Sequence, residues 1–233
     1  MELSTAFSDR RVFLPVVHVD DASQAMRNVQ VARDNGAHGV FLINHRINAW
    51  DLLGIYHGVR AKHPDWWIGL NMLDLEPWRV FIAAKPNVSG LWFDHSGIDL
   101  TAQDPVREAR EMMRAHDRRP YFWRGVHFGG VAFKYQAQSG DPAEEARLAM
   151  PFMDVITTSG DQTGKPPSLD KIRAIRAAIG SKPLAIASGI TPENVDSFLP
   201  YVDCFLVATG ISFSHTELDP ARVRMLADLI RAW

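Results

Sequence analysis

The chain reads as an α/β protein, a single (β/α)8 TIM barrel, and three observations predict it. Short apolar runs alternate with helical stretches from Val12 almost to the end, the pattern of parallel βαβ units. Roughly eight such units occupy 233 residues, close to the length of one α/β barrel. The last two apolar runs each end in a small-residue bend, Ser188-Gly189 and Thr209-Gly210. A doubly wound open sheet is the rival, and the number of units favours closure. No linker, composition shift or low-complexity segment interrupts the pattern, so residues 1–233 read as one domain.

Each element has its own signal. Val12–Val19 is β-rich, and Asp20, Asp21 and Ser23 then supply N-caps for a helix over Ala22–Asn35 that Gly36 stops. Gly39–Asn44 is a strand of the fully buried kind, and Trp50–Lys62 a helix that ends before Pro64. Trp67–Leu73 is the third strand and Pro77–Ala84 a short helix. Gly90–Phe93 is the fourth strand; Asp104–Ala115 is amphipathic, with Pro105 in its first turn. Tyr121–Phe128 follows as a strand and Pro142–Met150 as a helix. Val155–Thr158 is the sixth strand, and the helix Ser168–Ile179 is capped by Ser168 and closed by Gly180. Leu184–Ala187 and Phe205–Ala208 are the last strands, with helices expected over Pro192–Leu199 and Pro220–Ala232.

Composition narrows the function. The chain has 25 basic and 27 acidic residues, a formal charge of −2, which gives no electrostatic case for nucleic acid or an anionic membrane. No apolar run approaches the roughly 20 residues of a membrane span. The N-terminus lacks the basic-then-apolar pattern of a signal peptide. The single Cys204 excludes an internal disulfide and a cysteine-based zinc cluster, and it fits a reducing cytoplasm. Oligomeric state is not readable: Trp and Phe would mark a homo-oligomer patch only where exposed.

In a barrel the active site lies at the C-terminal strand ends. That rule selects His18 and Asp20, Asn44 to Arg46, Asn71 and Asp74, Asp94 and His95, His127 and Lys134, and Ser159, Asp161 and Lys165. His18, Asp94 and His127 are the expected proton-transfer groups, since a histidine or a carboxylate of shifted pKa suits acid–base work. Asn44, Asn71, Asp161 and Lys165 are expected ligand contacts; the two asparagines equally fit turn closure. No H-x-H or H-E-x-x-H spacing appears, so neither a metal nor a cofactor is expected. Trp66, Trp67 and Trp92 read as outer packing, and Gly129-Gly130 as a loop hinge or a turn. In Ser159–Pro167 the proline after Lys165 breaks the P-loop pattern, which disfavours a Walker-type nucleotide site.

The bends carry the ligand class. Ser188, Gly189, Thr209 and Gly210 offer hydroxyl and backbone donors that suit a phosphate, and Thr191-Pro192 reads as a helix start behind the first bend. Glycine at a tight βα turn also has a purely structural reading.

Thr158–Ser168 and Ala187–Val195 together resemble the BtpA-like proteins, and Ile68–Leu73 looks like that family's third-strand segment. The likeness covers about residues 150–212 well and the earlier chain loosely; the family's proline-rich first strand is replaced by Leu14-Pro15-Val-Val-His18. It implies a barrel of the ribulose-phosphate-binding kind with a phosphate seat at Ser188, Gly189, Thr209 and Gly210. The same turns resemble those of phosphoribosylanthranilate isomerase, whose general base is a first-strand cysteine. The first strand here has none, and Cys204 begins strand eight at the wrong end. The expected function is an enzyme acting on a small phosphorylated metabolite, a sugar phosphate or a nucleotide-derived compound, by isomerisation, lyase chemistry or hydrolysis. The alternative is a non-catalytic assembly or regulatory factor that binds such a ligand.

Overall fold

The computed structural model describes residues 2–84, 87–117, 123–135 and 140–233. Eight parallel strands close a barrel in sequence order: β1 (Val12–Val19), β2 (Gly39–Asn44), β3 (Trp67–Asn71), β4 (Gly90–Phe93), β5 (Val126–Gly130), β6 (Val155–Thr158), β7 (Leu184–Ile186) and β8 (Cys204–Val207). β8 returns to β1 with Val12 opposite Cys204 and Pro15 opposite Val207. Around them lie α2 (Ala22–Asp34), α3 (Ala49–Lys62), α4 (Pro77–Ala83), α5 (Arg107–Asp117), α6 (Pro142–Ala149), α7 (Leu169–Ile179) and α8 (Pro220–Arg231), preceded by a single turn, α1 (Leu3–Ala6). Among the described residues no helix is long and apolar enough to cross a membrane.

Strand side chains alternate between the barrel interior and the helix-facing surface, and that parity decides what each residue does. Val12, Leu14 and Val16 point inward with Phe41, Ile43, Trp92, Val126, Phe128, Cys204 and Leu206. Phe13, Val17, Leu42, Leu91 and Phe205 point outward and pack on the helices. The interior is filled by rings: Phe41 lies 5.2 Å from Phe128 and 5.7 Å from Trp92, edge to face. Trp67 and Trp92 therefore belong to the barrel interior and not to the outer packing expected of them. Trp66 does pack on the outer core. α1, which the sequence did not announce, places Leu3 and Phe7 against the bottom of the interior, with Phe7 5.5 Å from Trp67.

Three expectations change. The helix expected over Pro192–Leu199 is only a 3-10 turn, Val195–Ser197. Asn194 takes the Thr191 N–H on Oδ1 and donates through Nδ2 to the Gly189 carbonyl, and the Thr191 hydroxyl accepts from Glu193 N–H. Such side-chain bonds compete with an α-helical start. The fifth strand begins at Val126, because its register runs Gly90 to Val126 and Phe93 to Gly129; residues 121 and 122 of the expected strand lie outside the described residues. Gly129 and Gly130 are strand residues, neither hinge nor turn. A Cβ on Gly130 would collide with the Asp94 backbone, so its hydrogen lets β4 and β5 converge below the mouth.

Candidate functional site

Parity delivers a distinct set of groups to the C-terminal mouth. His18 continues the inward series of β1, His45 that of β2 and Asp94 that of β4, two residues beyond Trp92. With Lys134, Tyr135, Thr163, Gly164, the bends after β7 and β8, and His215, they line a cavity of about 290 Å³ whose floor is Val16, Ile43, Trp92 and Leu206.

The two bends share this cavity. Gly189 sits at φ +69°, and a Cβ there would collide with the Lys165–Pro166 backbone. Gly210 is the middle residue of a short 3-10 turn, Thr209–Ile211, and a Cβ there would collide with the Ile190 carbonyl. Among the described residues the N–H groups of Gly189, Thr209 and Gly210 meet no acceptor in the protein. The Ser188 hydroxyl is engaged on both sides: it donates to the Lys165 carbonyl (2.7 Å) and accepts from Gly160 N–H (3.1 Å). It pins the β6 loop over the β7 bend. That loop reaches the cavity through Thr163 and Gly164, whereas Asp161 and Lys165 are exposed and lie outside the lining.

The same cavity holds a cluster of titratable groups. His18 Nδ1 and His215 Nε2 are 2.9 Å apart, and the His45 ring lies 4.7 Å from that of His18. Burial first, then the charges of His45, His215 and Lys134, hold the His18 pKa at about 3. His45 is lowered for the same leading reason. Both imidazoles are thus neutral bases at pH 7. Asp94 accepts from Asn71 Nδ2 at 3.0 Å; burial raises its pKa, and the Asn71 bond and Lys134 oppose the rise. Burial lowers the Lys134 amine, opposed by Asp94. The carboxyl and the amine are each driven toward the neutral form, which suits proton exchange. Among the described residues, no three His, Cys, Asp or Glu side chains are grouped to hold a metal ion.

Other expected groups sit elsewhere. His127 has the outward parity of β5 and lies 5.1 Å from Phe93 and 5.7 Å from Phe81, edge to face, under the helices. It does not meet His18 or Asp94 at the mouth. Asn44 donates to Asp74 and the Ile47 carbonyl and accepts from Leu73 N–H, closing the turn beyond β2. His95 faces Glu108 of α5, with Nδ1 3.8 Å from the carboxylate. His45, Lys134 and His215 were not singled out for proton transfer. Parity from Phe41 and Ile43 identifies His45. No periodic signal marks Lys134 or His215, which lie on irregular segments.

No family model matches the chain. It is 30% identical over 110 residues to an uncharacterized protein of Thermococcus kodakarensis, a match spanning 45% of this chain and 41% of the relative. Solved structures resemble it over nearly its whole length. Monomers generated from the dimeric phosphoribosylanthranilate isomerase of Thermotoga maritima match at TM-score 0.67 and 13% identity, over 96% of this chain and 100% of that one. The (S)-3-O-geranylgeranylglyceryl phosphate synthase of Thermoplasma acidophilum, in complex with its substrate sn-glycerol-1-phosphate, matches at 0.67 and 10% over 100% of both chains. The tryptophan synthase alpha subunit of Legionella pneumophila matches at 0.67 and 13%, over 96% of this chain and 94% of that one. At such identities these likenesses establish the barrel alone.

Proposed function

We propose that this barrel binds a small phosphorylated metabolite in its mouth and acts on it by acid–base chemistry. The observation that carries the reading is that the β7 and β8 bends, with free amides, line the same cavity as His18, Asp94 and Lys134. The Gly189, Thr209 and Gly210 N–H groups and the Thr209 hydroxyl take the phosphate oxygens, while Ser188 holds the first bend in shape. Fold neighbours with phosphorylated ligands lend support, among them the synthase bound to sn-glycerol-1-phosphate. So does the BtpA-like resemblance, since its two segments supply Thr163, Gly164, Ser188 and Gly189 of the lining.

A cavity of about 290 Å³ lies at the small end of ligand sites, which favours a sugar phosphate over a dinucleotide. With the phosphate seated, the rest of the ligand extends toward the imidazoles. His18, neutral at pH 7, accepts a proton from the substrate, and Asp94, kept protonated more readily by burial, returns one. The single thiol, Cys204, is buried and fits a reducing compartment. The test is a panel of pentose and triose phosphates assayed for binding and turnover with wild type, Asp94→Asn and His18→Gln. Binding retained with turnover lost in both variants supports the enzyme. Binding without turnover by wild type transfers the reading to a non-catalytic phosphate binder, and absence of binding refutes both.

A further inference from the structure

The segment after β5 is held in an unusual conformation. Ala132 and Tyr135 have φ of +45° and +64°, left-handed backbone at two non-glycine residues. Such strain persists only where the surroundings enforce it. They do so here. Val131 N–H donates to the Thr157 carbonyl, and Ala132 N–H donates at 2.9 Å to Glu145 Oε1, a carboxylate 4% exposed. Lys171 Nζ donates to the Ala132 carbonyl, and Lys134 N–H donates to Ser159 Oγ at 2.8 Å. β6, its loop, α6 and α7 thus fix the two strained residues that bracket Lys134.

The result is a lysine side chain aimed into the mouth. Its Nζ stands 5.5 Å from the centre of the Phe133 ring, in the field of Asp94. Among the described residues it makes no hydrogen bond to the protein, unlike Lys171, whose ammonium is occupied by the Ala132 and Ser159 carbonyls. Lys62, Lys165 and Lys182 lie outside the cavity lining. A salt-bridge or packing role does not require strained, multiply anchored backbone on both sides.

We propose that Lys134 is a nucleophilic amine that condenses with the carbonyl group of a phosphorylated aldehyde or ketone seated at the Gly189 and Gly210 bends. This rests on the phosphate reading above. The neutral amine forms a C–N bond to the carbonyl carbon, and the C=O π pair moves to oxygen. One proton passes from nitrogen to that oxygen by way of Asp94. A second proton, from the Asp94 carboxyl, lets the oxygen depart as water and leaves an iminium. The iminium draws electrons from the neighbouring carbon, where His18 takes the proton. Burial of Lys134 beside a carboxyl supplies the neutral amine that such an attack needs.

The test uses the intact chain, pyridoxal 5′-phosphate as a phosphorylated aldehyde, pyridoxal as its phosphate-free counterpart, and borohydride to reduce the imine. Peptide mass mapping then locates the label. The expected result is label at Lys134 before any other lysine, stronger with the phosphorylated aldehyde, diminished by inorganic phosphate, and lost in Lys134→Arg, which keeps the charge. Label on Lys62, Lys165 or Lys182 with Lys134 unmodified overturns the proposal. If Lys134 remains unmodified while inorganic phosphate still shifts the Gly189 and Gly210 amides, the amine role fails and the phosphate seat survives. Equal labelling of Lys134 by both aldehydes, unaffected by phosphate, overturns the phosphate seat and with it the proposed substrate.

Discussion

Replacing His127 with leucine removes a buried imidazole that makes this barrel acid-sensitive. His127 is 6% exposed, and burial, then the charge of His116, holds its pKa at about 3. Above pH 6.5 the ring is neutral in both the folded and the unfolded chain and adds no pH dependence. Below pH 6.5 the unfolded chain takes up a proton that the folded chain refuses. Stability then falls by about 1.4 kcal/mol per pH unit until pH nears the folded value. Between pH 6.5 and 5.0 the loss from His127 is about 2 kcal/mol. His18, also at about 3, adds a similar loss from the mouth. Leucine keeps the packing against Phe81 and Phe93 and deletes Nε2, which has no partner among the described residues. It also removes the ring's bond to the Phe152 backbone, a cost of about 1 kcal/mol at every pH. Urea unfolding at pH 7 and pH 5 reads the difference. The stability lost by His127→Leu across that interval should be about 2 kcal/mol smaller than the loss in wild type. Equal losses in the two proteins would show that His127 is accessible to protons in the fold, and the placement on the outer face of β5 would be wrong.

Other outcomes follow from the same packing. Gly164→Ala, at φ +79° with space around it, should cost about 1–2 kcal/mol, whereas Gly189→Ala adds the collision with Lys165–Pro166, about 1–3 kcal/mol more. Chemical denaturation of the pair measures the excess, and equal costs would deny the close approach of loop and bend. Trp92→Ala should lose about 3–5 kcal/mol as a core truncation, while Trp92→Phe loses far less because the indole N–H has no partner among the described residues; thermal unfolding separates them. Asp203→Ala should cost about 3 kcal/mol by the same assay, since Asp203 pairs with the buried Arg11 and with Arg176 and accepts from Leu184 N–H at the base of β7 and β8.

The barrel was legible because every strand is a short apolar run between caps and turn residues, and the eight runs needed no long-range information to be counted. The mouth was legible in part. His18 and Asp94 follow from strand ends, and the bends at Gly189 and Gly210 from residue type. His127 was misplaced because strand-end position was read without parity: Val126 and Phe128 point inward, so the residue between them cannot. Trp92 lies inside by the same alternation, since Phe93 points outward. Lys134 was named beyond the fifth strand but given no role, and His215 was not named, for a different reason. Their positions are set by irregular backbone, anchored for Lys134 by Glu145, Ser159 and Lys171 from three other units, and no local pattern encodes those contacts.

The proposed anion seat consists of the amides of the β7 and β8 bends, in the cavity that also holds His18, Asp94 and Lys134. A titration of the labelled chain with inorganic phosphate, followed through its amide resonances, tests it most directly. Saturable shifts are expected at Gly189, Thr209 and Gly210, abolished in Gly189→Ala and preserved in Asp94→Asn. Shifts confined to the barrel exterior, or none at these three amides, would contradict it.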